Sequence, residues 1–374
     1  MEVLHPLFTI VFLGLIGFSF LEVYGKEIRN FKAVWIIIIV MIILSGLRNW
    51  VGADYQVYFQ MYSYYGLDAT FSEIFDKALF RKSNLEIEWL YLFFNNLFFS
   101  LGFPFYVFTL FVAIFAIVPK FYTIEKNVAY PAFSVLLYLI PTYFVADAGQ
   151  IRQGLGMAVC IFAFKFIKER NLPMFLLMIY IALGFHKSTI IFLPAYWLVL
   201  IPMSSSRILT FVAISAILAP FQIYNSLGFL DSIAPQEVYA GYSGYVSIEN
   251  AEGRGIGLLD LIIMLYVFYL VFFNKVTCAK IPYYEYMRNL GVIGICLYFI
   301  LRGSPIFSTR LSGIYLFFIY MALPNIVASI EKVSLKRYLH FVLVCFMIFY
   351  YFVFSHYQAK AGRFTPDTYQ NYLW

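Results

Sequence analysis

The chain has 374 residues, of which 63% are hydrophobic and only 12% are charged, and its formal net charge is +6. Soluble domains carry about 25% charged residues, so this composition excludes an ordinary soluble fold and favours a membrane protein. The modest basic excess is better interpreted loop by loop than as a patch for nucleic acid, and no nucleic-acid partner is expected.

Apolar runs near the length of about 20 residues that spans a hydrocarbon core follow one another along the chain. They lack the alternation of apolar and polar residues that strands of a membrane barrel show, and helices are therefore predicted. The predicted fold is an all-α integral membrane protein with a single polytopic domain over residues 1–374, in which the first run is a retained span. The candidate spans are 4–22, 33–47, 86–101, 103–119, 128–146, 151–167, 173–186, 189–203, 208–224, 257–274, 286–301, 311–330 and 338–355.

Lysine and arginine clusters set the predicted orientation, because cytoplasmic loops are enriched in them. The clusters that begin at Lys26, Lys120 and Lys165 all fall in the cytoplasm only if the run 86–101 does not cross completely. That run is short for a span and carries two adjacent asparagines near its middle, which favours a partial or re-entrant helix. About twelve transmembrane helices plus one partial helix are therefore predicted, with an odd number of spans as the alternative.

The remaining polar segments then lie on the outer face, including the loops 48–85 and 226–256 and the short segment 147–151. The first long loop contains Asp54, which starts a helix-like segment with tyrosines spaced three and four residues apart. Asp54 is a candidate to accept a sugar hydroxyl proton, and Tyr55 and Tyr58 are candidates to stack on sugar rings. The alternative is an N-cap aspartate followed by interfacial tyrosines.

Four arginines stand at predicted span ends on the outer face. A charge at this depth costs a few kcal/mol unless it is paired or lines a water-filled cavity, so each is a functional candidate. The planar guanidinium binds two phosphate oxygens at once, which suits the pyrophosphate of a lipid-linked substrate. Snorkelling to head groups is the alternative. The candidate pyrophosphate ligands are Arg48, Arg152, Arg302 and Arg310.

Further candidates complete the predicted site. Glu86 and His186 are candidates for the base or for groups that position the acceptor. Gln153, which follows Arg152 at the start of a span, is a candidate to bind substrate. The 226–256 loop, with Tyr242, is a candidate lid over sugars, or else an ordinary solvated loop. No Asp-x-Asp pair lies on an outer loop, so neither a metal nor another cofactor is expected.

These motifs, in their order and spacing, resemble the EpsG-like branch of the Wzy-type polysaccharide polymerases, which make O-antigen, capsule or exopolysaccharide. In that branch the partial helix usually reads Glu-x-Gly-Tyr, whereas this chain has Glu86-Ile-Glu88-Trp89, so the glutamate at the family position is left open. The matching elements are Arg48, Gly52-Ala-Asp54-Tyr55, Glu86, Ile151-Arg152-Gln153, Phe185-His186-Lys-Ser188 and Arg310-Leu-Ser-Gly-Ile-Tyr315.

The resemblance implies a multi-pass glycosyltransferase of the bacterial cytoplasmic membrane that is similar to the C-type glycosyltransferases. Such an enzyme transfers a growing glycan from undecaprenyl pyrophosphate onto the non-reducing end of a lipid-linked repeat unit at the outer face. The implied partners are the undecaprenyl-pyrophosphate-linked oligosaccharide, membrane lipid and, as a further candidate, a protein that regulates chain length.

Other functions remain open at this point. An O-antigen ligase would use a similar donor but would attach finished glycan to lipid A core. A flippase for lipid-linked oligosaccharide would be expected to show internal repeats and broken helices in matching halves, which the sequence does not show. A membrane acyltransferase would want a buried histidine with a matching partner.

Overall fold

The computed structural model describes residues 4–25, 32–52, 54–81, 85–221 and 257–374. Nearly all regular structure in these residues is helical, which confirms the predicted all-α class. The chain forms two compact units: the first comprises Met1–Ile190 and Ile330–Trp374, and the second comprises Ile191–Ser329. The prediction of a single domain stays a prediction.

The α-helices of the described residues range in length from four to 28 residues. A π-helix over Leu139–Asp147 follows α7, with a kink in the backbone at Ile140, and 3₁₀ segments cover Lys187–Phe192 and Ala219–Phe221. The α-helices are α1 (Pro6–Tyr24), α2 (Lys32–Gly46), α3 (Tyr55–Asp68), α4 (Phe71–Ala78), α5 (Trp89–Ser100), α6 (Phe105–Asn127), α7 (Pro131–Tyr138), α8 (Ile151–Phe162), α9 (Phe164–Lys168), α10 (Leu172–Phe185), α11 (Ala195–Leu198), α12 (Ser205–Leu218), α13 (Leu258–Phe272), α14 (Asn274–Lys280), α15 (Tyr284–Ile300), α16 (Pro305–Ser329) and α17 (Val333–Lys360).

Among the described residues, four helices are long and apolar enough to cross a membrane, and a bent helix pair makes a fifth candidate. Several long apolar helices are what a multi-pass membrane protein requires, so the predicted class of protein is supported. The structure does not show the predicted count of about twelve spans. The candidates are Pro6–Tyr24, Phe105–Asn127, Ser308–Ser329, Val333–Lys360 and the pair Leu258–Phe272 with Asn274–Lys280, which is bent by 63°.

The predicted span over 189–203 is not one continuous helix. It consists of the 3₁₀ segment that ends at Phe192 and the four-residue helix α11, with Pro194 at the N-cap of α11. Proline has no backbone N–H and its ring clashes with the preceding turn, so it stops a helix from running through this position. Apolar composition alone therefore overestimated the helix length here.

Lys120 does not mark the cytoplasmic boundary as predicted. It lies within α6, where its ammonium group contacts the carboxylate of Asp147, and both side chains are buried. The hydroxyl of Tyr138 donates a second hydrogen bond to the same carboxylate. The prediction put Lys120 and the segment 147–151 on opposite faces, and this direct contact shows that assignment to be wrong.

The C-terminal tail returns to the end of α2. Strand β1 (Arg48–Asn49) pairs antiparallel with strand β2 (Gln370–Asn371), and Arg48 lies opposite Asn371. Tyr369 donates its hydroxyl to the carbonyl of Leu44 at 2.7 Å. The last carbonyls of a helix have no hydrogen-bond donor within the helix, so the tail supplies donors to carbonyls at the end of α2. This fixes the loop that begins at Arg48.

Two helices, α3 and α4, occupy the predicted outer loop 48–85, and aromatic side chains fill the space beneath α3. Tyr62 stacks on Phe108 of α6, with ring centroids 5.3 Å apart, and donates its hydroxyl to the carbonyl of Phe103 at 2.7 Å. A Cβ atom at Gly66 would lie 2.3 Å from the ring of Phe99, so α3 approaches α5 more closely than any larger residue allows. This packing holds the end of α3 against the end of α5.

Candidate functional site

An ion pair joins the starts of two helices in the first unit. Arg152 stands in the first turn of α8, and Glu88 is the N-cap residue of α5. Nη1 of Arg152 lies 2.7 Å from Oε2 of Glu88, and both side chains are largely but not completely buried. Because hydrogen bonds between ionised groups are stronger than neutral ones, the pair holds the guanidinium in a defined orientation.

Two tyrosine rings complete the surroundings of Arg152. Its Cζ atom lies 5.9 Å from the ring centre of Tyr58 and 5.8 Å from that of Tyr91. At these distances the ring faces attract the cation. The Nε atom of Arg152 is buried and has no hydrogen-bond partner among the described residues. The guanidinium therefore keeps a donor beyond its contact with Glu88.

The turn after α10 approaches the same glutamate. The backbone N–H of Lys187 donates to Oε1 of Glu88 at 3.1 Å. The ring of His186 faces Ser188: Nδ1 accepts from the backbone N–H of Ser188 at 3.2 Å and lies 2.7 Å from its hydroxyl oxygen. Glu88 thus connects Arg152 with the turn that carries His186.

Electrostatics keep Glu88 ionised. Burial by itself raises the pKa of this carboxyl, but the positive charge of Arg152 and the backbone N–H of Lys187 outweigh burial and hold the pKa below its usual value. Glu86, two residues earlier, is exposed. Of the two glutamates that the sequence left open, Glu88 is therefore the one in contact with Arg152.

Arg48 is buried and donates hydrogen bonds to backbone carbonyls. Only 1% of it is exposed, its Nε donates to the carbonyl of Val51 at 3.0 Å, and its Nη1 contacts the carbonyl of Ser45. Gly52 adopts a positive φ of 112°, and a Cβ there would lie 2.9 Å from the carbonyl oxygen of Ala148. Arg48 and Gly52 together shape the turn before α3.

The other predicted residues of the first unit lie on or near this turn. Asp54 is the N-cap residue of α3, half-buried, and its carboxylate makes no capping hydrogen bond. Tyr55 is buried, with its hydroxyl 3.5 Å from that of Tyr372 and its ring centre 5.8 Å from Cζ of Arg48. Gln153 is buried beside Arg152 in α8.

In the second unit, Arg302 forms a two-point contact with Asp260. Its Nε and Nη2 lie 3.0 and 2.6 Å from the two carboxylate oxygens. Tyr298 and the backbone N–H of Gly257 also donate to Asp260, at 2.9 and 2.6 Å. Arg310 lies half-buried on α16. The predicted lid residue Tyr242 falls outside the described residues, as does the loop 226–256.

The family comparison reaches nearly the whole chain. The EpsG family matches residues 31–371, from the start of α2 to the tail strand β2. The chain belongs to the EpsG family. This family is linked to exopolysaccharide biosynthesis. No curated protein and no solved structure matches the chain significantly.

The sequence analysis of this EpsG-family chain did not identify Asp260, which binds Arg302, or Tyr91, whose ring contacts Arg152. Asp260 is a lone carboxylate at the start of an apolar run, and the cost of such a charge was a signal that could have singled it out. Tyr91 sits among many other aromatic residues and carried no comparable signal. Within the described parts of the chain, no group of three or more His, Cys, Asp or Glu side chains could hold a metal ion.

Proposed function

We propose that this EpsG-family chain is a polysaccharide polymerase. It transfers a growing glycan from undecaprenyl pyrophosphate onto the non-reducing end of a lipid-linked repeat unit at the outer face of the bacterial cytoplasmic membrane. The observation that carries the proposal is Arg152, a permanent cation held by Glu88 between aromatic rings and beside the His186 turn. Such a group is suited to a pyrophosphate anion.

The reaction forms one bond and breaks another. A hydroxyl oxygen of the acceptor sugar attacks the anomeric carbon of the donor glycan, while the bond from that carbon to the pyrophosphate oxygen breaks. The electron pair of the broken bond leaves with the pyrophosphate, and a base takes the hydroxyl proton. Arg152 stabilises the charge that develops on the leaving group, which is the point where a fixed cation lowers the barrier most.

Asp54 is the base in this proposal, and Glu88 positions Arg152. Both oxygens of Glu88 already accept hydrogen bonds, one from Arg152 and one from Lys187. Asp54 makes no capping bond and precedes Tyr58 by four residues on the same face of α3, and the ring of Tyr58 touches Arg152. This arrangement supports a proton acceptor near the guanidinium.

His186 serves as a hydrogen-bond donor rather than as the base. Because Nδ1 accepts the Ser188 N–H, the neutral ring carries its hydrogen on Nε2. That N–H is suited to a phosphate oxygen or a sugar hydroxyl. Ser188 fixes the orientation of the ring through two contacts, at 3.2 and 2.7 Å.

The remaining expectations belong to the same proposal. Arg302 and Arg310 are proposed to bind phosphate oxygens in the second unit, and Arg48 to hold the turn before α3. About twelve crossings are proposed for the C-type-like fold; the long and the shorter apolar helices of the described residues supply eight of them, or nine with the bent pair. Membrane lipid and a protein that regulates chain length are the proposed partners besides the lipid-linked oligosaccharide.

Replacement of Arg152 tests the proposal in a strain that lacks the chromosomal gene. Arg152→Ala is expected to abolish polymer and cause lipid-linked single repeat units to accumulate, with protein levels maintained. Arg152→Lys is expected to recover little activity, because an ammonium group cannot reproduce the planar fork. Arg81→Ala is the matched control, since Arg81 is exposed and pairs with Asp76 on the surface. Polymer length is read on a gel of extracted glycan.

Wild-type chain lengths in the Arg152→Ala strain would contradict the phosphate role. Long glycan that accumulates without attachment to its final acceptor would instead favour a ligase. Repeat units trapped at the inner face would favour a flippase. Purified full-length protein with defined lipid-linked repeat unit, and product read on a gel, decides whether the chain itself catalyses the transfer.

A further inference from the structure

Two polar side chains on one face of α5 are fully buried and have no hydrogen-bond partner among the residues that the structure describes. Tyr91 is 1% exposed and Asn95 is 0% exposed. The hydroxyl of Tyr91 and both amide atoms of Asn95 have no hydrogen-bond partner among the described residues. Residues four apart in a helix lie one above the other on the same face, so these groups form a short polar stripe.

Such groups are costly to bury, since each loses its hydrogen bonds to water without replacement. Phenylalanine at 91 or leucine at 95 would fill nearly the same volume without this cost. The chain contains 43 Phe, so the apolar alternative is common in its composition. A ligand with hydroxyl groups could supply the hydrogen bonds that these side chains do not make within the described residues.

Aromatic rings surround the stripe on both sides. The ring of Tyr91 lies 6.2 Å from that of Tyr58 on α3 and 5.6 Å from that of Phe108 on α6. One turn beyond Asn95, Phe99 contacts the ring of Tyr62 at 5.6 Å. Ligand sites combine apolar and aromatic walls with a few placed polar groups, and the composition here is of that kind.

The end of the stripe reaches Arg152. The ring centre of Tyr91 is 5.8 Å from Cζ of that residue, and Nε of Arg152 is a fourth buried polar atom without a partner in the described part of the chain. The stripe thus begins at the proposed pyrophosphate ligand and runs one turn along α5.

We propose that Tyr91 and Asn95 form a subsite for sugar hydroxyl groups, covered by α3 in the present structure. The inference rests on the proposed function and names the part of the substrate that lies next to the pyrophosphate. A phosphate oxygen only accepts hydrogen bonds, whereas the Asn95 amide offers both a donor and an acceptor, as does the Tyr91 hydroxyl. A sugar hydroxyl matches both of these groups, and ring faces stack on the surrounding aromatic side chains.

Access requires α3 to move away from α5, because the contacts of Tyr58 and Tyr62 close over the stripe. These contacts are rings against rings and contain no ion pair between the two helices in the described residues. Binding of the glycan then replaces the packing of α3 with hydrogen bonds to the stripe.

Thermal unfolding of the purified full-length protein with two lipid probes tests the subsite. One probe is undecaprenyl pyrophosphate without sugar, and the other is the lipid-linked repeat unit extracted from a strain that lacks the gene. The variants are Tyr91→Phe and Asn95→Leu. The control is Tyr284→Phe, which also removes a buried hydroxyl without a partner in the described residues, but in the second unit.

All three variants are expected to melt about 2 °C or more above the wild type, since each removes an unsatisfied polar group. Tyr91→Phe and Asn95→Leu are expected to bind the sugar-free lipid as the wild type does and the glycolipid about three- to tenfold more weakly. Tyr284→Phe keeps both affinities.

Unchanged glycolipid affinity in Tyr91→Phe and Asn95→Leu overturns the subsite and leaves the proposed function standing, provided that Arg152→Ala loses affinity for both probes. Equal binding of both probes by wild type and Arg152→Ala overturns the proposed function and the subsite with it. A loss of affinity for the sugar-free lipid in Tyr91→Phe equal to that for the glycolipid also overturns the assignment to sugar.

Discussion

Asp260 occupies two of the hydrogen-bonding nitrogens of Arg302, and it accepts from Tyr298 and Gly257 at the same time. A carboxylate that accepts four hydrogen bonds has its lone pairs filled, so it is a rigid holder for the guanidinium. Since Gly257 and Asp260 form the start of α13, the same contact connects the beginning of that helix to the end of α15.

Truncation of Asp260 is expected to destabilise the second unit more than loss of a surface pair. Asp260→Ala leaves a partly buried Arg302 without its two-point partner, at a cost of about 1–3 kcal/mol, and the coupling appears in a double-mutant cycle with Arg302→Ala. Thermal unfolding of the purified variants in detergent measures both the loss of stability and the coupling. Asp76→Ala, at the exposed pair with Arg81, is the control and is expected to change little. Equal effects of the two substitutions would contradict the holding role.

Replacement of Lys120 or Asp147 alone is expected to destabilise the protein more than replacement of both residues together. Lys120→Met or Asp147→Leu alone strands a buried charge, at a cost of about 3–5 kcal/mol. The double variant removes both charges and is expected to recover most of the loss. The measurement is the melting temperature of the four proteins. If the double variant is as unstable as the worse single variant, the instability of the single variants does not come from a buried charge that has lost its partner.

Acid is expected to remove the stabilisation that Glu88 contributes. Its pKa in the folded protein lies below the ordinary value of 4.5, so the unfolded chain takes up a proton first as the pH falls. The stabilisation is complete above the unfolded pKa and is lost as the pH drops through the lowered folded pKa. The melting-temperature difference between wild type and Glu88→Gln should therefore be constant near neutral pH and shrink below about pH 4.5.

Glu86→Gln is the matched control for this pH series, because Glu86 is exposed and carries the same charge two residues away. It is expected to change the melting temperature little at neutral pH. A pH-independent difference for Glu88→Gln would mean that the carboxylate charge is not what stabilises the contact with Arg152.

Close packing of α15 against α16 is expected to make Gly294 intolerant of a side chain. A Cβ at this position would lie 2.7 Å from the backbone nitrogen of Leu316, which cannot move aside as a flexible side chain can. Gly294→Ala should destabilise the protein by about 1–3 kcal/mol. Gly17→Ala in α1, where a Cβ meets nothing within 4 Å, is the control and is expected to be neutral or stabilising. Similar melting temperatures for the two variants would contradict the close contact.

The ordered motifs were sufficient to predict the family, and most of the residues they singled out in the first unit lie near one another. The choice between Glu86 and Glu88 was not predictable. Both precede the same helix, and only the path of the chain brings Oε2 of Glu88 within 2.7 Å of Arg152, 64 residues later in the sequence. Arg48 was singled out correctly as a costly buried charge, but its partners are the backbone carbonyls of its own turn.

Composition by itself determined that the protein is helical and lies in a membrane, because transfer of each apolar run from water to lipid depends only on the residues within that run. Tertiary structure alone decided that Lys120 contacts Asp147, that the tail strand pairs with the strand of Arg48, and that the polar atoms of Tyr91 and Asn95 have no partner in the described parts of the chain. Each of these depends on distances between side chains far apart in the sequence or on the exclusion of water around them. Residue order does not specify those distances; the packing of the helices does.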